Sequence, residues 1–456
     1  MKSRREFLKK SAAASALIST PYIWTSSEAR ALDLNSKPTV AAIGVGGSRG
    51  AYSQGGHIAR RAAGLGTMIA VCDVDDIHTD EFNKAFDGKL RRYRDYRELI
   101  EKEKPEVVTI GTPDHWHVPI SIAALRAGAD VYCEKPLTLT IQEGIDICKV
   151  VEETGRVFQV GTQQRSENGD KFLKAIAIVQ SGRLGKNVNA FVAIGGAPGD
   201  GPFESSPTPE GLDWEMWVGP APPAKYSLER RKNFRWWYEY SGGKMTDWGA
   251  HHIDIAQWAL GHDHSGPVQV RAQGKFTSIV PADLDWDAFL DGEISLPDGF
   301  NTATEFSIDL QYDDGAVLSV HDHYKREGGI DFGNGILFEG DKGRIFVNRS
   351  KLQGKPIDNL TEKDHEEINK QVTKLYKGRK TGNHMKNFFE SIVDRVQPIS
   401  DVFTHHRTMT SCHLCNIGLM LGRELNWDPQ HEKFVGDDQA NALMARKSRK
   451  VASATT

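Results

Sequence analysis

The sequence predicts an α/β protein: a mostly parallel sheet with helices on both faces, followed by a second domain built on a mixed sheet with flanking helices. Three observations carry this. Apolar strand-like runs alternate with helical stretches from Thr39 to Val160. The first run ends in a glycine-rich turn and the second in an aspartate. After about Arg165 the alternation gives way to closely spaced strand-like runs broken by Asp/Gly turns. A length of 456 residues suits two domains. A net charge of −4 with 26% charged residues gives no broad basic footprint, so nucleic acid is excluded as the expected partner. Five cysteines in so long a chain exclude a disulfide-stapled scaffold.

The elements follow in order. Residues 1–31 carry Lys2, Arg4, Arg5, Lys9, Lys10 and Arg30 against Glu6 and Glu28, a net +4 that leaves −8 on the remainder. Paired arginines before Phe7-Leu8, a moderately apolar stretch from Ser11 to Ile23, and Ala29-Arg30-Ala31 at its end resemble a twin-arginine signal peptide. The expectation is export to the periplasm by the twin-arginine machinery.

Thr39–Ile43 reads as a strand ending in Gly44-Val45-Gly46-Gly47-Ser48-Arg49-Gly50, with a helical stretch from His57 to Ala63 and a second strand from Met68 to Cys72 closing at Asp73. Glycines let backbone N–H groups approach a pyrophosphate, a helix N-terminus adds a favourable field, and Asp73 suits the adenosine ribose hydroxyls. Arg49 stands where a strict G-x-G-x-x-G spacing requires glycine, so the turn is one residue longer than the common form. Asp73, Asp75 and Asp76, with only His78 as a cation before Lys84, favour NAD over NADP. The same aspartates also suit the start of the next helix.

Asp95 caps a predicted helix through Ile100. Val107–Ile110 and Asp130–Cys133 read as strands, 118–127 and 141–153 as helices, and 157–160 as a last strand. Gly44, Gly46, Gly47, Gly50, Asp73, Thr112, Pro113, His117, Glu134 and Lys135 then fall on the rim at the carboxyl ends of the strands, where such sheets bind ligands. In the second half, 197–226 reads as a long Pro/Gly-rich loop and 242–261 as a helix beginning near Thr246. Strand-like runs fill 268–347, helices 383–393 and 405–421, and a polar tail follows from Asp437.

Two clusters suit chemistry. Lys135 in Glu134-Lys135-Pro136 sits on the rim, where an oxidised nicotinamide and burial both lower a lysine pKa. Asp247 and His251 are four residues apart, so a continuous helix puts them on one face. There the carboxylate orients a histidine base and favours its protonated form, or the two form a purely structural pair. Arg235, Trp236, Trp237 and Tyr238 precede that helix. Their aromatic faces suit sugar rings and equally suit core packing. Gln163-Gln164-Arg165 enters the substrate pocket or links the domains. No carboxylate–histidine set has zinc spacing, so no metal is expected, and Cys412 and Cys415 read as helix packing.

Together, the glycine turn, Thr112-Pro113 with His117, Glu134-Lys135-Pro136, and Gly242-Gly243 with Asp247-x-x-x-His251 resemble the Gfo/Idh/MocA oxidoreductases. The resemblance covers residues 37 to about 425. It implies an N-terminal Rossmann domain (37–165) and a C-terminal α/β domain (166–436) with a large open-faced, mostly antiparallel sheet, leaving a tail at 437–456. It also implies homo-oligomers, dimers or tetramers, and a hydride-transfer site of Lys135, Asp247 and His251, with His251 as base and Lys135 assisting. His252, outside the motif, is expected to point elsewhere. The expected activity is NAD-dependent oxidation of a sugar, polyol or glycoside hydroxyl carbon. Outside the cytoplasm no NAD pool recycles a free cofactor, so tightly held NAD is expected. The alternative is a redox-neutral glycosidase or lyase that acts by transient oxidation and elimination.

Overall fold

The computed structural model describes residues 37–50 and 53–451. The expected export signal, residues 1–31, lies outside the described residues. The first sheet has six parallel strands: β1 (Thr39–Ile43), β2 (Thr67–Cys72), β3 (Arg91–Tyr93), β4 (Val107–Ile110), β5 (Asp130–Cys133) and β6 (Phe158–Val160). Their order is β3-β2-β1-β4-β5-β6. All positions of β4 and β5 are buried, as expected of parallel strands covered on both faces. The covering helices are α1 (Gln54–Ala63), α2 (Asp76–Lys84), α3 (Tyr96–Glu103), α4 (His117–Arg126) and α5 (Ile141–Thr154). Asp75, Asp95 and Thr140 cap α2, α3 and α5 through their side-chain oxygens. The strand order reverses between β1 and β4, which opens a crevice at their carboxyl ends.

Helix α6 (Lys171–Gln180) and strand β7 (Asn189–Ala193) begin the second half. The expected loop over 197–226 contains a short helix, α7 (Trp214–Val218), and is followed by α8 (Leu228–Lys232). The helix expected from Thr246 starts earlier and is broken: α9 is Gly243–Asp247 and α10 is Gly249–Ala259.

The second sheet takes in β7, β8 (Gln269–Lys275), β9 (Glu305–Gln311) and β10 (Val317–His321). The hairpin β11 (Tyr324–Arg326)–β12 (Ile330–Phe332) stands apart. The sheet continues through β13 (Gly335–Gly340), β14 (Gly343–Val347), β15 (Leu352–Gln353), β16 (Leu425–Asp428) and β17 (Lys433–Phe434). Its order is β15-β14-β13-β7-β10-β9-β8-β16-β17, antiparallel except for β7 with β10. Strict exposed–buried alternation along β9 leaves one face of this strand to solvent.

The remaining helices are α11 (Trp286–Leu290), α12 (Lys355–Asp358), α13 (Glu362–Leu375), α14 (His384–Asp394), α15 (Val402–Leu421) and α16 (Asp438–Ala442). No helix was expected over α13, whose pattern is weak: only Ile368 and Val372 are buried, and a Thr361–Asp364 capping box sets its start.

Packing crosses the boundary expected at residue 165. One apolar core includes Val108 and Val131 of the first sheet and Val270, Ile308 and Leu310 of the second. Helix α14 returns to the first sheet, where Met385, Phe388 and Phe389 pack with Val40 and Ile58. The tail packs on its own chain: Ala440 and Leu443 are buried, Arg446 donates to the Tyr238 carbonyl, and the Arg449 N–H donates to the Pro220 carbonyl at 3.0 Å.

Candidate active site

The crevice between β1 and β4 opens into a groove lined by Gly44, Gly46, Gly50, Asp73, Thr112 and Pro113 among others. Gly44 has φ +74°, and a Cβ there would lie 2.6 Å from the Thr112 backbone nitrogen. The position therefore demands glycine. A Cβ on Gly47 would strike Glu81 and His78, and the Gly50 N–H closes the turn on the Gly47 carbonyl at 3.0 Å. The turn is longer than the common form, and its close-packing glycine is one the sequence reading passed over. A Cβ on Gly55, in the first turn of α1, would fall 1.8 Å from the Gly44 carbonyl oxygen. Helix α1 thus starts three residues earlier than its apolar pattern suggests and presses its glycine pair onto β1.

Asp73 lines the groove, but its carboxylate also holds the turn. One oxygen accepts the N–H groups of Val45 and Gly46 at 3.0 and 3.1 Å, and the other accepts the Asp75 N–H at 3.1 Å. His117 is buried under the rim rather than aimed into the groove. Its Nδ1 is 2.6 Å from the Pro136 carbonyl and its Nε2 is 2.9 Å from the Thr112 carbonyl, so it ties the two rim loops together. Glu134 is likewise buried, accepting from Gln54 and Gln163 at 3.2 Å, and burial pushes its carboxyl up. The Thr112 hydroxyl is buried without a partner among the described residues. That orphan hydroxyl, the glycine cradle and the helix start behind it fit a dinucleotide.

A roof from the second half covers the groove. Asp213 N–H donates to the Val74 carbonyl at 2.9 Å and Asp76 N–H to the Gly211 carbonyl at 3.0 Å. The Trp116 indole donates to the Met216 carbonyl at 2.9 Å. Arg231 pairs with buried Asp75 and lies beside His78, while Phe234 and Arg235 continue along the groove wall. Arg94 pairs with Asp76. These cations are distant in sequence from Asp73, which is why a local reading of 73–84 found only His78.

Beside Arg235 of the groove wall, Lys135 meets Asp247. Its Nζ is 2.5 Å from Asp247 Oδ1 and 3.1 Å from the Asp247 carbonyl oxygen. Arg235 Nε is 3.6 Å from the same carboxylate oxygen. Burial alone would raise the Asp247 carboxyl, but Lys135, Arg235 and Lys244 outweigh it and hold it below the usual range. His251 is 4% exposed. Burial, then the charges of Lys135 and Arg349, push its imidazole well below the ordinary range, so it is neutral. The expected Asp247–His251 hydrogen bond is not formed. The helix breaks at Trp248, Asp247 turns to Lys135, and His251 Nδ1 is buried without a partner among the described residues. Lys135 therefore pairs with Asp247 and its charge reaches His251, with no Asp247–His251 contact along a helix face. His252 points elsewhere, to Asn334 at 3.1 Å.

Three expected substrate residues are structural. Arg165 is 1% exposed and clasped by Asp254 (2.6 and 2.8 Å) and Asp263 (2.6 Å), with its guanidinium 4.6 Å over Trp258. It joins the two halves. Trp237 is fully buried against Phe300 and Phe203. Tyr238 is buried and donates to Asn416 at 3.2 Å. A 3₁₀ turn at Phe234–Trp236 sends Arg235 toward Asp247 while Trp237 and Tyr238 enter the core. Trp236 stays half-buried under Lys244, whose Nζ is 5.4 Å from its ring centre. The site also holds Asp114, singled out by no motif. Burial pushes its carboxyl up to about 7, and Ser241 donates to it. Of the other histidines, His115 lies 2.9 Å from the Trp217 carbonyl and His323 2.7 Å from Asp331. Cys412 and Cys415 are buried in α15.

Two family models match the chain. Residues 39–162 match an oxidoreductase-family NAD-binding Rossmann fold, and 197–453 match the C-terminal alpha/beta domain of the same oxidoreductase family. Inositol 2-dehydrogenase of Salmonella typhimurium is 31% identical over 120 residues, 26% of this chain and 35% of that protein's length. D-glucoside 3-dehydrogenase of Escherichia coli is 22% identical over 355 residues, 70% of this chain and 90% of its own. The WlbA dehydrogenase from Bordetella pertussis, solved with NADH and UDP-GlcNAcA, superposes with a TM-score of 0.59 at 14% identity, covering 86% of this chain and 99% of that one; the likeness is one of fold. With an NAD-binding Rossmann domain and its partner domain both matched over most of their length, the chain belongs to the Gfo/Idh/MocA oxidoreductase family.

Proposed function

We propose that the protein oxidises a hydroxyl-bearing carbon of a sugar, polyol or glycoside, using NAD held in the roofed groove. The observation that carries this is the Lys135–Asp247 pair, which adjoins Arg235 on the wall of the glycine-lined groove and whose lysine charge reaches neutral His251. NAD bound there supplies the two-electron acceptor for the carbinol hydrogen. His251 takes the hydroxyl proton, and its enforced neutrality keeps it ready to do so. Lys135, steadied by Asp247, donates to the reacting oxygen as negative charge develops on it. Thr112 and the N-terminal end of α1 hold the dinucleotide, while the 44–50 turn, braced on Asp73, gives it room to approach. Asp73 faces the adenosine ribose, and the nearby Arg94 and Arg231 are already countered by Asp76 and Asp75, which favours NAD over NADP.

The roof of 209–235 supports slow cofactor exchange. That property suits an enzyme sent by its twin-arginine-like signal to the periplasm, where it would work as a homo-oligomer. His251→Ala tests the site: turnover of glycosides should fall about 10²–10⁴-fold while NAD affinity is retained. Undiminished turnover would overturn the assignment of the base. Release of aglycone from a glycoside without added acceptor would move the reading to oxidation–elimination.

A further inference from the structure

The cations at the substrate end of the groove outnumber the carboxylates that answer them. Lys135 and Arg235 lie 2.5 and 3.6 Å from Asp247. Lys244 stands one turn before Asp247 on α9, half-buried, with its ammonium over Trp236. Arg349 reaches in from the turn after β14, its guanidinium 4.6 Å over the Trp248 ring. Gln164, with its amide oriented to satisfy both neighbours, accepts from Arg349 Nε and donates to the His251 carbonyl, each at 3.1 Å, which places Arg349 beside the base.

Asp247 is the one carboxylate whose charge acts on Lys244 and Arg349. Neither cation forms a salt bridge among the described residues. Asp114 is pushed up to about 7 and so carries less than a full charge near neutrality. Glu134 is turned away to Gln54 and Gln163. Leaving Arg235 aside, Lys135, Lys244 and Arg349 therefore face one firmly ionised carboxylate among the described residues, and oxidised nicotinamide adds positive charge. A neutral polyol leaves that excess uncompensated in a partly desolvated site, whereas an anionic group on the substrate answers it.

Resting on the dehydrogenase reading above, we propose that the substrate is an anionic sugar, bearing a carboxylate or a phosphate, whose anionic group is held between Lys244 and Arg349 while its reacting hydroxyl faces His251 and Lys135. Lys244 comes from α9 and Arg349 from the turn between β14 and β15, and both act on Asp247. Trp236 and Trp248 beneath the two cations hold them in place through their ring faces.

The test compares methyl glucoside, methyl glucuronide and glucose 6-phosphate as ligands of the NADH-bound enzyme by calorimetry and as substrates of the NAD-bound enzyme. The expected result is that one anion binds at least tenfold more tightly than methyl glucoside and has the higher kcat/KM. The glucuronide and phosphate arms show which group is recognised. Lys244→Met and Arg349→Met should each bring the anion-to-neutral ratio down toward one in both readouts. Equal or better binding and oxidation of the neutral glycoside overturns the inference and leaves the dehydrogenase reading standing. Failure of every sugar to bind and to reduce NAD overturns both.

Discussion

Two basic residues follow adjacent strands of the first sheet, and each meets an aspartate of the α9–α10 segment. Arg165, after β6, is 1% exposed and shared between Asp254 and Asp263. Lys135, after β5, is 15% exposed and meets Asp247 alone, where Arg235 and Lys244 compete for the same carboxylate. The first arrangement is charge-balanced on the acidic side and closed, so it works as a joint between the two halves. The second has surplus positive charge and an open side, so it is suited to a ligand. Charge balance and exposure, rather than the identity of the pair, separate the structural site from the reactive one.

The largest effect is expected at the joint. Arg165→Met strands the fully buried Asp254 carboxylate and frees the partly exposed Asp263, and should cost about 3–5 kcal/mol, read as a large drop in the denaturation midpoint. A variant as stable as the parent would remove the distinction drawn between the two sites. Asp247→Asn should do the opposite: a milder loss of stability, about 1–2 kcal/mol for a partly exposed pair, with turnover falling about 10²-fold or more as Lys135 loses its anchor. If stability collapses instead, Asp247 belongs with Asp254 as a joint residue.

A smaller, graded effect comes from pH. His115, His252 and His384 are pushed down to about 4, and His413 to about 3, each chiefly by burial. An unfolded histidine binds its proton near 6.5. Below that pH the unfolded chain gains protons that the folded chain refuses, so stability is full above about 6.5 and is lost as pH falls toward 4. Thermal scans between pH 7 and 4 should show a steadily falling midpoint; a flat profile would contradict the burial of these rings.

Much of this architecture was legible in the residues. The β1–turn–α1–β2 unit and the rim position of Glu134-Lys135-Pro136 follow from local pattern and topology, whereas the grouping of Lys135 with Asp247 and His251 was implied by the family resemblance. What was not legible depends on three dimensions. The Asp247–His251 spacing implied a shared helix face, but the break at Trp248 hands Asp247 to Lys135. Trp237 and Tyr238 carry the same aromatic signal as Trp236, and only the 3₁₀ turn decides which ring stays at the surface. Arg231, Met216 and Arg349 reach the site from segments without any motif, so composition offered no hint of the roof or of the positive charge at the substrate end. Gly55 was overlooked because the apolar pattern of α1 begins after it.

The central claim is that a sugar hydroxyl reacts at His251 against NAD retained in the groove. It is tested most directly by denaturing the purified protein, identifying the released nucleotide by mass spectrometry, and following nicotinamide fluorescence in a parallel sample mixed with sugars and no added cofactor. The account predicts released NAD or NADH and a single-turnover rise in reduced nicotinamide that disappears in His251→Ala. A protein free of nucleotide, with no affinity for added NAD and no fluorescence change on addition of any sugar, would contradict it.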